Sequence, residues 1–149
     1  MAITASGLYL LTQEKMLIDT MGQSMEAETH KGLLVQDGYT PDFDAHDFRA
    51  DVTNEVSGTG YTAGGQAITT TELTVGSPGV GQMKWDHADL SWTSSTITSA
   101  MALIDYFNVG SSATDALIAL LDFVTAVSTS AGTLLVQIAA NGVYYLDLP

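Results

Sequence analysis

Asn141-Gly142 stands between two apolar runs, Leu134 to Ala140 and Val143 to Leu146. In that setting the pair constrains the chain strongly, because both residues tolerate positive φ and a two-residue type I′ turn matches the twist of the flanking strands. The expectation is a terminal β-hairpin. Runs of the same kind recur upstream, each closed by turn-forming residues: Gly32 to Gln36 before Asp37-Gly38, and Gln66 to Val75 before Gly76-Ser77-Pro78-Gly79. Met83 to Trp85 and Ala88 to Trp92 are spaced to pair around Asp86-His87, Thr96 to Phe107 reads as a central strand, and Leu117 to Phe123 as another. About seven or eight short strands separated by turn clusters predict a mainly β fold, an antiparallel β-sandwich or barrel of jelly-roll-like form.

The opening segment has a different rhythm. Leu10, Leu11, Leu17, Ile18, Met21 and Met25 recur near helical spacing, so Ser6 to Met25 is expected to be helical, with Gly22 positioned to end it and Gln23 to His30 a polar connection. The expected organisation is an N-terminal helix or arm over residues 1–30 and a β-sandwich domain over residues 31–149. The helix would cover its own sheet or pack on a neighbouring subunit.

Charge and composition narrow the partners. Seventeen acidic side chains face four basic ones, Lys15, Lys31, Arg49 and Lys84, for a net charge of −13. Four scattered cations cannot build the basic stripe that binding a phosphate backbone requires, so no nucleic-acid partner is expected. With no cysteine, disulfides and thiolate chemistry are excluded. No stretch is apolar for long enough to suggest a membrane span, and the first residues lack a leader's pattern, so the chain is expected to be made and kept in cytoplasm, then carried by whatever it assembles into.

Motifs for chemistry are incomplete. Gly58-Thr59-Gly60-Tyr61-Thr62-Ala63 has the spacing of a dinucleotide-binding turn, but Gly64 and Gly65 would break the helix whose N-terminus must receive the pyrophosphate. The outer spacing of Gly60 to Gly65 fits a phosphate loop, yet Gln66 and Ala67 stand where Lys and Ser or Thr belong. Asp42, Asp44, His46 and Asp47 alternate as calcium ligands do, without the Gly and closing Glu of a calcium loop, and turn-capping is the competing role for these aspartates. Phe43 and Phe48 are placed to pin that loop to the core. Trp85, Trp92 and Tyr61 could stack a sugar, or belong to the interior. No G-x-S-x-G elbow or other complete catalytic set accompanies the three histidines, His30, His46 and His87, and an enzyme is not expected. Neither catalytic nor metal or cofactor residues are assigned.

Leu34-Val35-Gln36-Asp37-Gly38-Tyr39-Thr40-Pro41-Asp42, His46-Asp47-Phe48, Asp51-Val52 and Asn54 to Gly65 resemble, in order and wording, a family of small virion proteins of tailed bacteriophages. Trp92, Thr96-Ile97-Thr98, Leu103-Ile104-Asp105-Tyr106, Leu117-Ile118-Ala119 and Asp122-Phe123 continue the likeness, which spans Lys31 to the C-terminus. The resemblance implies a capsid cement or decoration protein, a non-enzymatic β-sandwich that clamps major capsid subunits from outside. Its partners would be the major capsid protein and copies of itself, as a homo-oligomer on the virion, and no cofactor is implied. Gln23 to His30 departs from the family pattern, in which a short helix runs directly into an apolar strand. A tail or head-tail connector component, or a carbohydrate- or receptor-binding appendage, is the alternative. Tyr39 to Phe48 and Ser57 to Gly65 are the expected contact loops.

Overall fold

The computed structural model describes residues 3–147; the outermost residues of the expected arm and domain, 1–2 and 148–149, lie outside them. In chain order the elements are β1 (Gly7–Leu8), α1 (Leu10–Leu17), β2 (His30–Gln36), β3 (Gly58–Thr59), β4 (Gln66–Ile68), β5 (Glu72–Val75), β6 (Met83–Asp86), β7 (Leu90–Ile97), β8 (Ala100–Phe107), β9 (Leu117–Val127), β10 (Gly132–Val136) and β11 (Tyr144–Leu146), with a single 3₁₀ turn at Arg49–Asp51. The fold is mainly β, with one short N-terminal helix and three antiparallel sheets of strand order β1-β9-β8-β2-β4, β10-β7-β3 and β11-β6-β5. The sheets are layered, and none closes into a barrel.

The centre of the five-stranded sheet is the most apolar part of the chain. Every residue of β8 is buried, as a strand covered on both faces must be. Alternation sends Leu33 and Val35 of β2 to one face, where they meet Ile104, Tyr106, Leu117 and Leu120 under a cover of Ile3, Tyr9 and Tyr39. Leu34 and Leu103 point to the other face and share a core with Leu90, Trp92, Leu134 and Val136 of the β10-β7-β3 sheet. Each fully buried Leu contributes roughly 1.5–3 kcal/mol relative to an exposed one. The third sheet closes over the end of the first, with Trp85, Phe107, Ile118 and Met25 as its core.

Several local expectations give way to tertiary choices. The helix is shorter than Ser6 to Met25: Gly7 and Leu8 pair with Leu120 and Ala119 instead. Its end is a Schellman stop, in which Thr20 N–H reaches the Lys15 carbonyl and Asp19 N–H the Met16 carbonyl with Asp19 at φ 55, three residues before Gly22. Gln66 to Val75 is two strands rather than one, because Thr70 at φ 61 turns the chain from the first sheet into the third. Thr96 to Phe107 is broken by Ser99 at φ 53, which passes the chain from β7 to β8 in a different sheet. β6 and β7 do not pair around Asp86-His87, since β6 lies between β5 and β11 and β7 between β10 and β3.

The Asn141-Gly142 hairpin does not form. β10 pairs with β7 and β11 with β6, so the segment between them crosses from one sheet to another. Gly142 N–H donates to the Ala139 carbonyl at 2.8 Å, and Gly142 takes φ 80, where a Cβ would lie 2.4 Å from the Trp85 carbonyl oxygen. The glycine serves that close approach, and the two flanking runs find better partners elsewhere.

On the side of β5 away from β6, the Leu73 N–H donates to Glu26 Oε1 at 3.0 Å. No helix among the described residues is long and apolar enough to cross a membrane.

Candidate functional site

The Tyr39 to Phe48 loop is a brace. Tyr39 is 1% exposed, and its hydroxyl lies 2.9 Å from Tyr9 Oη and 2.9 Å from His46 Nδ1. Because the Asp42 N–H donates to the same Nδ1 at 3.3 Å, that nitrogen is an acceptor, so the Tyr39 hydroxyl donates to it and the Tyr9 hydroxyl donates to Tyr39. Burial pushes the Tyr39 hydroxyl up to about 12 and the Tyr9 hydroxyl further. Phe43 packs against Tyr9 at 5.3 Å between ring centres, and Phe48 joins the core beneath the third sheet, as expected of both. Asp42 Oδ1 accepts the Asp44 and Ala45 N–H groups at 3.1 and 3.0 Å, the turn-capping role. Asp47 is paired with Lys15, Asp44 is exposed, and among the described residues no three His, Asp or Glu side chains converge as metal ligands.

The glycine segment is equally structural. Gln66 begins a strand and no helix follows Gly58 to Ala63, which removes the dinucleotide geometry. A Cβ on Gly58 would lie 2.0 Å from the Thr96 carbonyl oxygen, and one on Gly65 2.0 Å from that of Gly32; the glycines let backbones touch. Tyr61 donates to Glu55 Oε1 at 2.7 Å and accepts the Leu34 N–H at 3.1 Å, while Glu55 Oε1 also takes the Gly64 N–H at 2.6 Å. Tyr106 donates to the Gly64 carbonyl at 2.6 Å. The wording of the Asn54 to Gly65 block is therefore accounted for by packing. Trp85 and Trp92 are 0% and 4% exposed and offer no face to a sugar.

Two features escaped the sequence reading. One is a buried polar cluster that links the three sheets. His87, between β6 and β7, points Nε2 at Asp105 Oδ2 of β8 at 3.2 Å, and its Nδ1 donates to the Ala88 carbonyl at 2.7 Å. Both side chains are 0% exposed. Burial lowers the affinity of His87 for a proton, but the Asp105 hydrogen bond and charge outweigh it and the pKa is raised; burial raises Asp105, with His87 opposing. His30, 1% exposed, lies 4.8 Å from the Phe107 ring and 5.6 Å from Trp85, with neither ring nitrogen hydrogen-bonded. With both side chains of the pair sealed from solvent and no nucleophile bonded to them, the cluster is a tie between sheets. Its one sequence signal was a carboxylate, Asp105, inside an otherwise apolar strand.

The other is an apolar groove between α1 and the third sheet, a cavity of about 330 Å³ lined by Leu8, Leu10, Met16, Leu17, Met25, Leu73, Met83, Tyr144 and Leu146, with Gln13. Leu17 is 86% exposed, Leu10 and Leu146 50% each. α1 buries Thr12 and leaves Leu10 and Leu17 exposed, although both were expected to lie in the stripe covering the sheet.

The chain matches no family model, no curated protein and no solved structure.

Proposed function

We propose that this protein is a non-enzymatic structural component of a tailed-phage particle, a capsid cement or decoration protein that holds major capsid subunits through surface contacts. The observation that carries the proposal is the disposition of side chains. Groups with chemical potential, the His87–Asp105 pair, His30, Trp85, Tyr9, Tyr39 and Tyr106, face inward. Leu10, Leu17, Ile18, Val75, Leu135 and Leu146 remain exposed on a braced β scaffold. Contiguous exposed apolar surface marks protein contact, and the sequence blocks from Leu34 onward supply the virion context. Many copies, on a shell and beside one another, would make individually weak contacts firm.

The test is to mix the purified protein with expanded heads that lack it, sediment the particles and count bound copies. Saturation at a ratio commensurate with an icosahedral lattice supports the cement role. Binding to tails and not heads supports a connector, and binding to neither overturns the proposal.

A further inference from the structure

The groove between α1 and the β11-β6-β5 sheet has a chemistry specific enough to define its occupant. Its floor is set by strand register: Val75 and Leu146 both lie opposite Met83, so three apolar side chains form a row across the sheet beyond the part that Trp85 and Met25 fill. Val75 is 82% exposed. The wall is the face of α1 carrying Leu10 and Leu17, two helical turns apart. Met16, Met25 and Met83 add unbranched thioethers, which repack around an incoming side chain.

The rim is acidic. Glu14, Glu26 and Asp147 are exposed and each lies one residue from a lining residue. Lys15, the cation beside the groove, is already matched with Asp47, and Lys84 lies on the opposite face of its strand from Met83, matched with Asp86. Glu14 and Asp147 have no ion pair among the described residues. A two-fold contact with a second copy would set this rim against itself, in a chain of net charge −13. A cationic partner avoids that repulsion.

From this we infer that the groove receives a cationic amphipathic segment of another protein, with apolar side chains seated between α1 and the Val75–Met83–Leu146 row and Lys or Arg against the acidic rim. The inference rests on the proposal that the chain works through protein contacts and names the kind of segment one such contact takes.

The test uses the full chain and a fluorescent synthetic helix of Leu and Lys in amphipathic order, with a Leu/Glu helix of the same pattern as control. Leu17→Ser with Leu146→Ser leaves net charge unchanged and removes the apolar anchors; Glu14→Gln with Asp147→Asn removes rim charge. The expected result is that the Leu/Lys helix binds, weakens about tenfold or more in each double variant, and weakens with added salt, while the Leu/Glu helix does not bind. All the altered side chains are exposed, so thermal melts of the variants should match the parent. Binding that ignores Leu17→Ser/Leu146→Ser would be attraction to the acidic protein at large and overturns the inference, as does a parent that dimerises through the groove and becomes monomeric in that variant. Head binding separates the two proposals: heads that take parent and variant equally overturn the groove alone, whereas heads that take neither, with peptide binding still groove-dependent, overturn only the virion role.

Discussion

Nε2 of His87 and Oδ2 of Asp105 lie 3.2 Å apart and link all three sheets. His87 sits on the link between the second and third sheets, and Asp105 on the central strand of the first. Since Nδ1 is committed to the Ala88 carbonyl, the proton between His87 and Asp105 either makes an ion pair or leaves both neutral, and in either state each group is the other's partner. Replacing His87 by Leu strands a buried carboxylate and should cost about 3–5 kcal/mol. Replacing both by Leu should recover much of that loss. Urea unfolding of the two single variants and the double would measure it, and additive losses would mean that the pair is not coupled.

His30 should make the fold acid-sensitive. Burial lowers its pKa to about 4, with the Glu28 carbonyl pulling upward and the charge of His87 adding to the lowering. A base with a depressed folded pKa contributes stability that is complete above its unfolded value near 6.5 and is lost as pH falls through the folded value. The gap is worth about 3 kcal/mol, most of it lost by about pH 4.5. His87 and Asp105 have raised pKa values, so their contributions run the opposite way, present at low pH and lost as pH rises through the folded values. His30→Leu, which removes the imidazole from its aromatic pocket, should unfold near the parent's midpoint at pH 7 and keep most of its stability at about pH 4.5. A variant as acid-sensitive as the parent would place the sensitivity elsewhere.

Two glycines with similar backbone angles should respond differently to alanine. Gly22 at φ 63 has no heavy atom within 4 Å of an added Cβ, whereas Gly65 at φ 71 would bring one to 2.0 Å from the Gly32 carbonyl oxygen. Gly22→Ala should cost about 1–2 kcal/mol, the left-handed penalty alone. Gly65→Ala should cost more than about 4 kcal/mol, because β2 and the β4 entry would have to separate. Thermal melts in parallel decide this, and equal shifts would contradict the close approach.

Calcium in excess should leave the melting temperature unchanged. Asp42 already accepts two backbone N–H groups and Asp47 already holds Lys15, so a cation would have to displace existing bonds. A ligand that bound only the folded state would raise the midpoint by mass action, and an upward shift abolished by Asp42→Asn would restore the site.

Strands that bury on both faces were legible in the sequence. Leu33-Leu34-Val35 and Leu103-Ile104 are apolar without interruption, and Leu117 to Phe123 nearly so, which is what two-sided cover requires. Partner choice was not legible, because it is settled across the chain: Leu134 to Val136 could pair with the adjacent Tyr144 to Leu146 or with the distant Leu90 to Trp92, and nothing local distinguishes them. The helix lost its end to Asp19, an L-residue in the left-handed conformation where glycine would have been the visible cue. In Tyr39 to Phe48 and Ser57 to Gly65, aromatic and glycine residues that suggested recognition brace the interior, while neighbours such as Asp44 and Thr62 stay exposed. The His87–Asp105 tie joins positions 18 residues apart, one on the link between β6 and β7 and one on β8, and the groove depends on which face of α1 turns outward, which leucine spacing alone does not decide.

The Glu26 carboxylate on the Leu73 N–H bears on how the molecule behaves when crowded. An edge strand with free donors is a template onto which a neighbouring chain can add its own strand, and successive additions make fibrils. Here that donor is occupied by a charged side chain of the same molecule, so growth from this edge must first break an internal bond and bury an acid. The side chain acts as a stopper at this point of the edge, opposing runaway polymerisation from this side of the sheet.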